Sequence, residues 1–446
     1  MGNLALVAKE SGYRVTGHDK AIYPPMSRML ADAGIEVLTA TDPQQLVALN
    51  PDEIIIGNAL SRGHPFVEHL LDIGLPLCSG PEWLYKNILA KRKVIAVAGT
   101  HGKTTLTAML AWILSELGEV PGYLIGGVPH NFKQSASLGK GSIFVLEADE
   151  YDTAFFDKRA KFLHYHPQVL IINNLEYDHA DIYPNLAAIQ TQFHHLLKTI
   201  AASGHVIYPS HNQAISDLLA KGCWSQEHTF SHTFNHPFNH PFNIKGYSYK
   251  LLQADASAFL LFKDGQSIDN IRWSMLGEHN IHNLLAGLTA LDCLGIDTKK
   301  ACQTLTGFQG VKRRLEHIYY DPTHEIRLYN DFAHHPSAIL ATLQALRNKI
   351  GRQKLIAIIV PASNTMRLGQ HKNKLQQAIE PADFCLWLQD KPINWTPIAD
   401  TRSDYCTNLS DLAARLQPHL TKGTHLVLMT NGESETKLEA LRACLR

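Results

Sequence analysis

The chain's 446 residues are too many for one ordinary core, so two or three domains are expected, and 45% hydrophobic with 18% charged residues is the composition of a soluble globular protein. Its 41 basic and 41 acidic residues cancel, which excludes the broad positive field that draws in nucleic acid and favours a small-molecule substrate. No apolar run approaches the roughly 20 residues of a membrane span, and the seven cysteines, scattered and never spaced Cys-x-x-Cys, read as reduced thiols of a cytoplasmic protein with no zinc site.

From Met1 to about Lys91, helical stretches alternate with short strands predicted at Tyr13 to Gly17, Ile35 to Thr39 and Glu53 to Gly57, a nucleotide-binding type of α/β layout. Such a domain should open with a buried strand and a glycine-rich turn. Here Met1-Gly2-Asn3 already enters a helix, so that first strand is expected to be absent. The second block, 92–315, opens with the apolar strand Lys93 to Ala98, then a glycine loop, then a helix from Lys103 to about Leu117. Buried strands are predicted at Ile143 to Glu147 and Val169 to Asn173, and alternation with helices argues for a mostly parallel sheet. Within this block Phe-Asn-His-Pro is repeated between His232 and Asn243; the prolines break the helical spacing that would converge the histidines, so a surface loop is preferred over a metal-binding tract. The third block, 316–446, begins with a strand near Ile326 to Tyr329. It continues through Lys354 to Val360, Phe384 to Leu388 and His425 to Met429, again as doubly wound α/β.

The loop Gly99-Thr100-His101-Gly102-Lys103-Thr104-Thr105 carries the clearest chemistry. Backbone N–H groups and a helix N-terminus face one anion, Lys103 adds a point charge, and Thr104 or Thr105 offers a hydroxyl to magnesium. Val97 stands where a strict Walker A loop has its first glycine. Glu147-Ala-Asp-Glu150 ends one strand and Asn173-Asn174-Leu-Glu176-Tyr-Asp178-His179 the next, which puts carboxylates and an imidazole at the carboxyl edge of the sheet, where ligands bind in open α/β folds. Glu147 suits a magnesium beside the phosphates, and the second cluster suits another divalent ion.

These motifs, followed by Gly277-Glu-His279-Asn280-Ile-His-Asn283, Arg313-Arg314 and Asp331-Phe-Ala-His334-His-Pro336, occur in the order found in the Mur ligases, cytoplasmic enzymes of peptidoglycan assembly that the chain resembles over essentially its whole length. The resemblance implies an α/β protein of three domains: a Rossmann-like UDP-sugar-binding domain (1–91), a central P-loop ATPase-like parallel sheet (92–315) and a Rossmann-like domain for the incoming amine (316–446). It implies ATP and Mg2+ as cofactors, with Gly99, Gly102 and Lys103 on the phosphates, Thr104 and Glu147 on magnesium and His179 on a second metal. His279, Asn280 and Asn283 resemble the adenine-side motif, Arg314 the γ-phosphate arginine, and Asp331 and His334 the ribose and phosphate contacts. His101 would lie by the muramoyl carboxylate and Asp19 by the uridine. Some family members carbamoylate a lysine beyond the metal histidine; Gln192-Phe-His194-His195 has none, so no carbamate is expected.

Within the family, Asn58, Phe155 to Arg159, Gly222 to Ser225 and above all Ser363-Asn364-Thr365-Met366 are most similar to the branch that joins L-alanyl-γ-D-glutamyl-meso-diaminopimelate to UDP-N-acetylmuramate in peptidoglycan recycling. Ser363 to Met366 should face the incoming amine, and Arg367 would pair with a peptide carboxylate. The expected reaction activates the muramoyl carboxylate as an acyl phosphate, with water excluded by closure of the third domain over the second. A monomer or weak homo-oligomer is expected. Addition of a single L-alanine, and a nucleotide-binding protein without ligase activity, remain as alternatives.

Overall fold

The computed structural model describes residues 1–446 apart from 20, 40, 41, 231–245, 398 and 446. The Phe-Asn-His-Pro repeat thus lies outside the described residues. The chain divides into two compact units, 1–175 with 187–231 and 286–304, and 176–186 with 232–285 and 305–446.

The first unit opens with helix α1 (Gly2–Glu10), and no strand precedes it among the described residues. Four three-residue strands, β1 (Thr16–His18), β2 (Glu36–Leu38), β3 (Ile54–Ile56) and β4 (Leu77–Ser79), form two separate parallel pairs, β1 with β2 and β3 with β4. β1 begins later than the predicted Tyr13, because Tyr13 is exposed and bonds outward to Asn87 rather than joining the ladder.

The main sheet of this unit is built around β5 (Lys93–Ala98), whose last five residues are buried. Its other members are β6 (Gly122–Leu124), β7 (Ala136–Ser137), β8 (Ile143–Glu147), β11 (Val169–Ile172), β12 (His205–Pro209) and β13 (Gln226–Phe230); a small antiparallel hairpin, β9 (Asp152–Ala154) and β10 (Asp157–Ala160), stands apart. The order β13-β12-β11-β5-β8-β6-β7 is parallel except at the β6–β7 edge. Strands buried on both faces read as continuous apolar runs, which Val169-Leu-Ile-Ile172 and Ile143-Phe-Val-Leu146 are. Helix α2 (Lys103–Glu116) is buried almost all round, including Leu106, Met109, Leu110 and Ile113, so it is a core helix held from several sides.

The second unit holds a three-stranded antiparallel sheet, β14 (Tyr247–Leu251), β15 (Ala258–Lys263) and β16 (Gln266–Arg272), which the sequence reading did not foresee. It also holds a six-stranded sheet in the order β17-β18-β22-β19-β20-β21, from β17 (Glu316–Asp321), β18 (Ile326–Asp331), β19 (Leu355–Ile359), β20 (Phe384–Leu388), β21 (Ser403–Cys406) and β22 (His425–Met429). All its pairings are parallel except β17 with β18, and β17 is a strand earlier than the predicted start at Ile326. Alternation splits its core in two: Leu355, Ala357 and Ile359 pack with Leu343 and Leu346 on one face, and Ile356 and Ile358 with Leu412 and Leu441 on the other.

Candidate active site

In the first unit, β5 lies between β11 and β8, so the loops leaving three adjacent strand ends meet at one point. Gly99 leaves β5 at φ 123, and a Cβ there would stand 2.7 Å from the Asn174 carbonyl oxygen and 3.0 Å from its nitrogen. Only glycine fits a backbone pressed this close in that conformation. Asn173 and Asn174 then clamp the loop. The His101 N–H donates to Asn174 Oδ1 at 2.8 Å, both side-chain amides donate to the His101 carbonyl at 3.2 and 3.0 Å, and the Thr100 N–H donates to the Asn174 carbonyl at 3.3 Å. The sequence reading gave these asparagines no role; their position at a buried strand's end was the available signal.

Gly102, at φ 83, caps α2, and Lys103 folds back to donate to the Gly99 carbonyl at 2.7 Å while pairing with Glu150 at 3.2 Å. Burial works against the ammonium, yet Glu150, Asp149 and Glu147 outweigh it and push the Lys103 pKa up. Lys103 therefore stays charged wherever phosphate would meet it. Thr104 and Thr105 are both buried in the first turn. Thr104 Oγ1 donates to Glu147 Oε2 at 3.2 Å, and the Gly126 N–H donates to the other Glu147 oxygen. Two hard oxygens at this separation match adjacent ligands of an octahedral Mg2+ at roughly 2.0–2.1 Å. The residues thus fit the metal expected of them.

The second unit carries the remaining expected nucleotide residues. Helix α3 (Glu278–Cys293) starts after Gly277, whose φ of 85 brings the chain under the His279 ring. Asn280 Nδ2 donates to the Leu276 carbonyl at 2.8 Å and Asn283 Nδ2 to Asn280 Oδ1 at 3.3 Å, which fixes the turn. Partial desolvation, reinforced by Arg314, lowers the pKa of His279, whose side chain still reaches solvent. Arg314 is presented by a sharply bent segment: Arg313 and Leu315 on either side have φ of 60 and 49, strained for non-glycine residues. Arg313 anchors the bend by donating to the Thr430 and Gly432 carbonyls at 2.6 and 2.7 Å, and both guanidinium groups lie over the Phe332 ring. Asp331 is buried, and its oxygens accept from the Leu315 and Ala333 N–H groups at 2.6 and 2.7 Å, so it braces this bend directly. Burial pushes its pKa up against the pull of Arg314.

His179 sits at φ 56 on a segment pinned by Asp178, which accepts from the His179 N–H at 2.8 Å and lies 3.6 Å from His334 Nε2. Burial alone would raise the Asp178 pKa, but His334, His179 and Thr365 outweigh it and hold the carboxyl far below its usual range. His371 donates to the Tyr177 carbonyl at 3.0 Å and Thr365 Oγ1 accepts from the Ala180 N–H at 3.1 Å, so the segment around His179 is tied to His371 and to Thr365 of the expected specificity loop. In that loop Ser363 caps the short helix α4 (Asn364–Arg367), Thr365 and Met366 are buried, Asn364 is exposed, and Arg367 donates to the Pro392 carbonyl at 3.1 Å. Trp395 donates to the Met366 carbonyl at 2.7 Å. In the first unit, Arg159 forms a two-pronged pair with Asp157 at 2.9 Å, and Asp19 accepts the Ala21 N–H at 3.3 Å in the loop after β1.

A glycine loop of phosphate-cradle type at a parallel sheet's switch point, with a half-buried lysine and a buried threonine and glutamate, defines a nucleotide-using enzyme. Residues 97–291 match the Mur ligase middle domain, and residues 1–92 match the model described as Mur ligase family, catalytic domain. The chain is 43% identical over 439 residues, 97% of itself and 94% of the relative, to UDP-N-acetylmuramate–L-alanyl-γ-D-glutamyl-meso-2,6-diaminoheptandioate ligase of Haemophilus influenzae. It is 30% identical over 81% of its length, and 75% of the relative, to UDP-N-acetylmuramate–L-alanine ligase of Rubrobacter xylanophilus. Among solved structures, a murein peptide ligase from Psychrobacter arcticus superposes with a TM-score of 0.73 at 38% identity, covering 100% of this chain and 96% of that one. The chain belongs to the Mur ligase family, the ATP-dependent enzymes that form amide bonds in peptidoglycan synthesis and recycling.

Proposed function

We propose that this enzyme joins L-alanyl-γ-D-glutamyl-meso-diaminopimelate to UDP-N-acetylmuramate in peptidoglycan recycling. The observation that carries the reading is the near full-length similarity to a ligase of that name, well above the similarity to the L-alanine-adding ligase. A carboxylate does not react with an amine until its oxygen becomes a good leaving group. The muramoyl carboxylate oxygen attacks the γ-phosphorus, the bond to the bridging oxygen breaks and ADP leaves. The tripeptide's α-amine then attacks the acyl carbon, giving a tetrahedral adduct that expels phosphate as the nitrogen loses its proton.

In this reading Lys103 and the backbone N–H groups of the 99–105 loop hold the transferred phosphoryl, worth two to three orders of magnitude in rate for a single well-placed donor. Thr104 and Glu147 hold Mg2+, which neutralises phosphate charge when bound. We keep the expected roles of His279, Asn280, Asn283, Arg314, Asp331 and His334 toward the nucleotide, of His179 toward a second metal, of His101 and Asp19 toward the UDP-sugar, of Arg159 in substrate binding, and of Ser363 to Arg367 toward the peptide. The domain boundaries 1–91, 92–315 and 316–446 belong to the same proposal.

The test is phosphate release from ATP with magnesium and UDP-N-acetylmuramate, with L-alanine or the tripeptide added as amine. Stimulation by the tripeptide is expected. Stimulation by L-alanine alone would reassign the substrate, and none by either amine would remove the ligase reading.

A further inference from the structure

Away from the phosphate cradle, at the β13 edge of the first unit's sheet, two imidazoles and a thiol converge. His205 opens β12, and His228 lies on the edge strand β13. The parallel register pairs His205 with Gln226, and His228, two residues on, shares the face of Gln226. The two rings therefore meet diagonally, with His205 Nδ1 3.0 Å from His228 Nε2 and ring centroids 5.1 Å apart. Cys293, the last residue of α3, brings its sulfur to the same point: one ligand atom from each of the three lies within 4.8 Å of the others. All seven cysteines are free thiols, and Cys293 is half-buried.

We propose that His205, His228 and Cys293 form a zinc site that fastens the end of α3 to the β12–β13 edge. Two imidazole nitrogens on a tetrahedral zinc at roughly 2.0–2.1 Å stand about 3.4 Å apart, and a thiolate at about 2.3 Å completes three corners. The imidazole pair needs only a few tenths of an ångström of adjustment to reach it, and the sulfur, within 4.8 Å of the nitrogens, a rotation that closes at most about 1.2 Å. Two imidazoles with one thiolate form a borderline-soft donor set that selects zinc over magnesium or calcium. The carbonyl end of a 16-residue helix adds negative potential where the cation would sit. All three side chains stand on regular elements, and their partial exposure leaves the fourth corner to water. On binding, the Cys293 thiol gives its proton to solvent and both imidazoles bind through nitrogen lone pairs. None of this has a Cys-x-x-Cys spacing, because the three ligands come from a strand start, an edge strand and a helix end.

Cobalt, which takes zinc's place and gives a near-ultraviolet charge-transfer band only when bound to thiolate, is the probe. The purified full-length chain is titrated with cobalt and then with zinc. One equivalent of thiolate-bound cobalt, displaced by zinc, is expected. The band should vanish in Cys293→Ser, and His205→Ala and His228→Ala should each weaken binding by on the order of tenfold or more. The histidines of the 231–245 segment cannot imitate this signal, since that segment contains no cysteine. In the unmutated protein, zinc should slow alkylation of Cys293, followed by mass spectrometry, and leave Cys444 unprotected. Absence of the band, its persistence in Cys293→Ser, indifference to either histidine, or alkylation of Cys293 unaffected by zinc would each overturn the proposal.

Discussion

Replacing Gly99 with alanine tests the cradle without removing a functional group. The added Cβ would lie 2.7 Å from the Asn174 carbonyl oxygen, whereas ordinary contact begins at 3.4 Å, so the loop must retreat by about 0.7 Å (3.4 − 2.7). That is enough to lengthen the 3.3 Å bond from the Thr100 N–H to the same oxygen beyond hydrogen-bonding range and to strain the 2.8 Å bond at His101. Conformational strain at φ 123 adds roughly 1–2 kcal/mol. A displacement approaching 1 Å in a positioning loop costs on the order of 100-fold in rate. Gly118 supplies the control: its φ of 81 imposes comparable strain, but a Cβ there meets nothing within 4 Å. Both variants should unfold at lower denaturant, and only Gly99→Ala should lose ATP-dependent phosphate release. If Gly99→Ala keeps activity within about threefold of the parent, or Gly118→Ala loses as much, the clamped-loop argument is wrong.

Lys103→Ala should abolish turnover and also destabilise the protein by about 3–5 kcal/mol, because Glu150, with a side chain only 4% exposed, is left without its cation. Adding Glu150→Gln should restore the denaturation midpoint but not the phosphate release. Burial holds His425 at about 4 and His335 at about 3 in the folded state, while the unfolded chain protonates them near 6.5. The unfolded state then binds more protons below pH 6.5, so stability is full above that pH and falls by up to about 2 kcal/mol per histidine by pH 5. Urea midpoints measured at pH 7.5, 6 and 5 should decline steeply, and a flat profile would contradict the burial argument. Thr365→Val leaves the Ala180 N–H without its acceptor and should cost about 1–3 kcal/mol and raise the KM for the peptide, whereas Thr365→Ser should keep both. Removal of magnesium should weaken ADP binding, followed by calorimetry, and Glu147→Gln should reduce that dependence; equal metal dependence in the variant would take Glu147 out of the metal site.

How far the fold could be read depended on how each strand is buried. β5, β8, β20 and β22 are covered on both faces and appear as uninterrupted apolar runs, and their predicted bounds agree with the structure. β17, Glu316-His-Ile-Tyr-Tyr-Asp321, is an edge strand paired antiparallel, half-covered and mixed in composition, and it escaped a reading that looked for apolar runs. Of the three strands from Tyr247 to Arg272, Gln266–Arg272 escaped for the same reason, being largely exposed and polar, whereas the central β15 carries an apolar run from Ala258 to Phe262 that the reading passed over.

Within the site, the legible part was what one stretch of chain can hold by itself. Gly99 to Thr105 carries its glycines, lysine and threonines in the order in which a strand, a turn and a helix place them. What closes around that loop comes from elsewhere: Asn174 is 73 positions from His101, and Glu150 is 47 from Lys103. Spacing in sequence says nothing about such pairs, since sheet order, β11 beside β5 beside β8, decides which strand ends become neighbours. Asp331 shows the converse. Its place in a recognisable motif implies a ligand contact, which stays a proposal, and in the structure its carboxylate also accepts from Leu315 and Ala333 and so shapes the bend that presents Arg314. A motif residue can thus serve nucleotide binding through the backbone it holds, and Asp331→Asn, which keeps one acceptor oxygen and loses the other, would disturb Arg314 before it disturbed any direct contact.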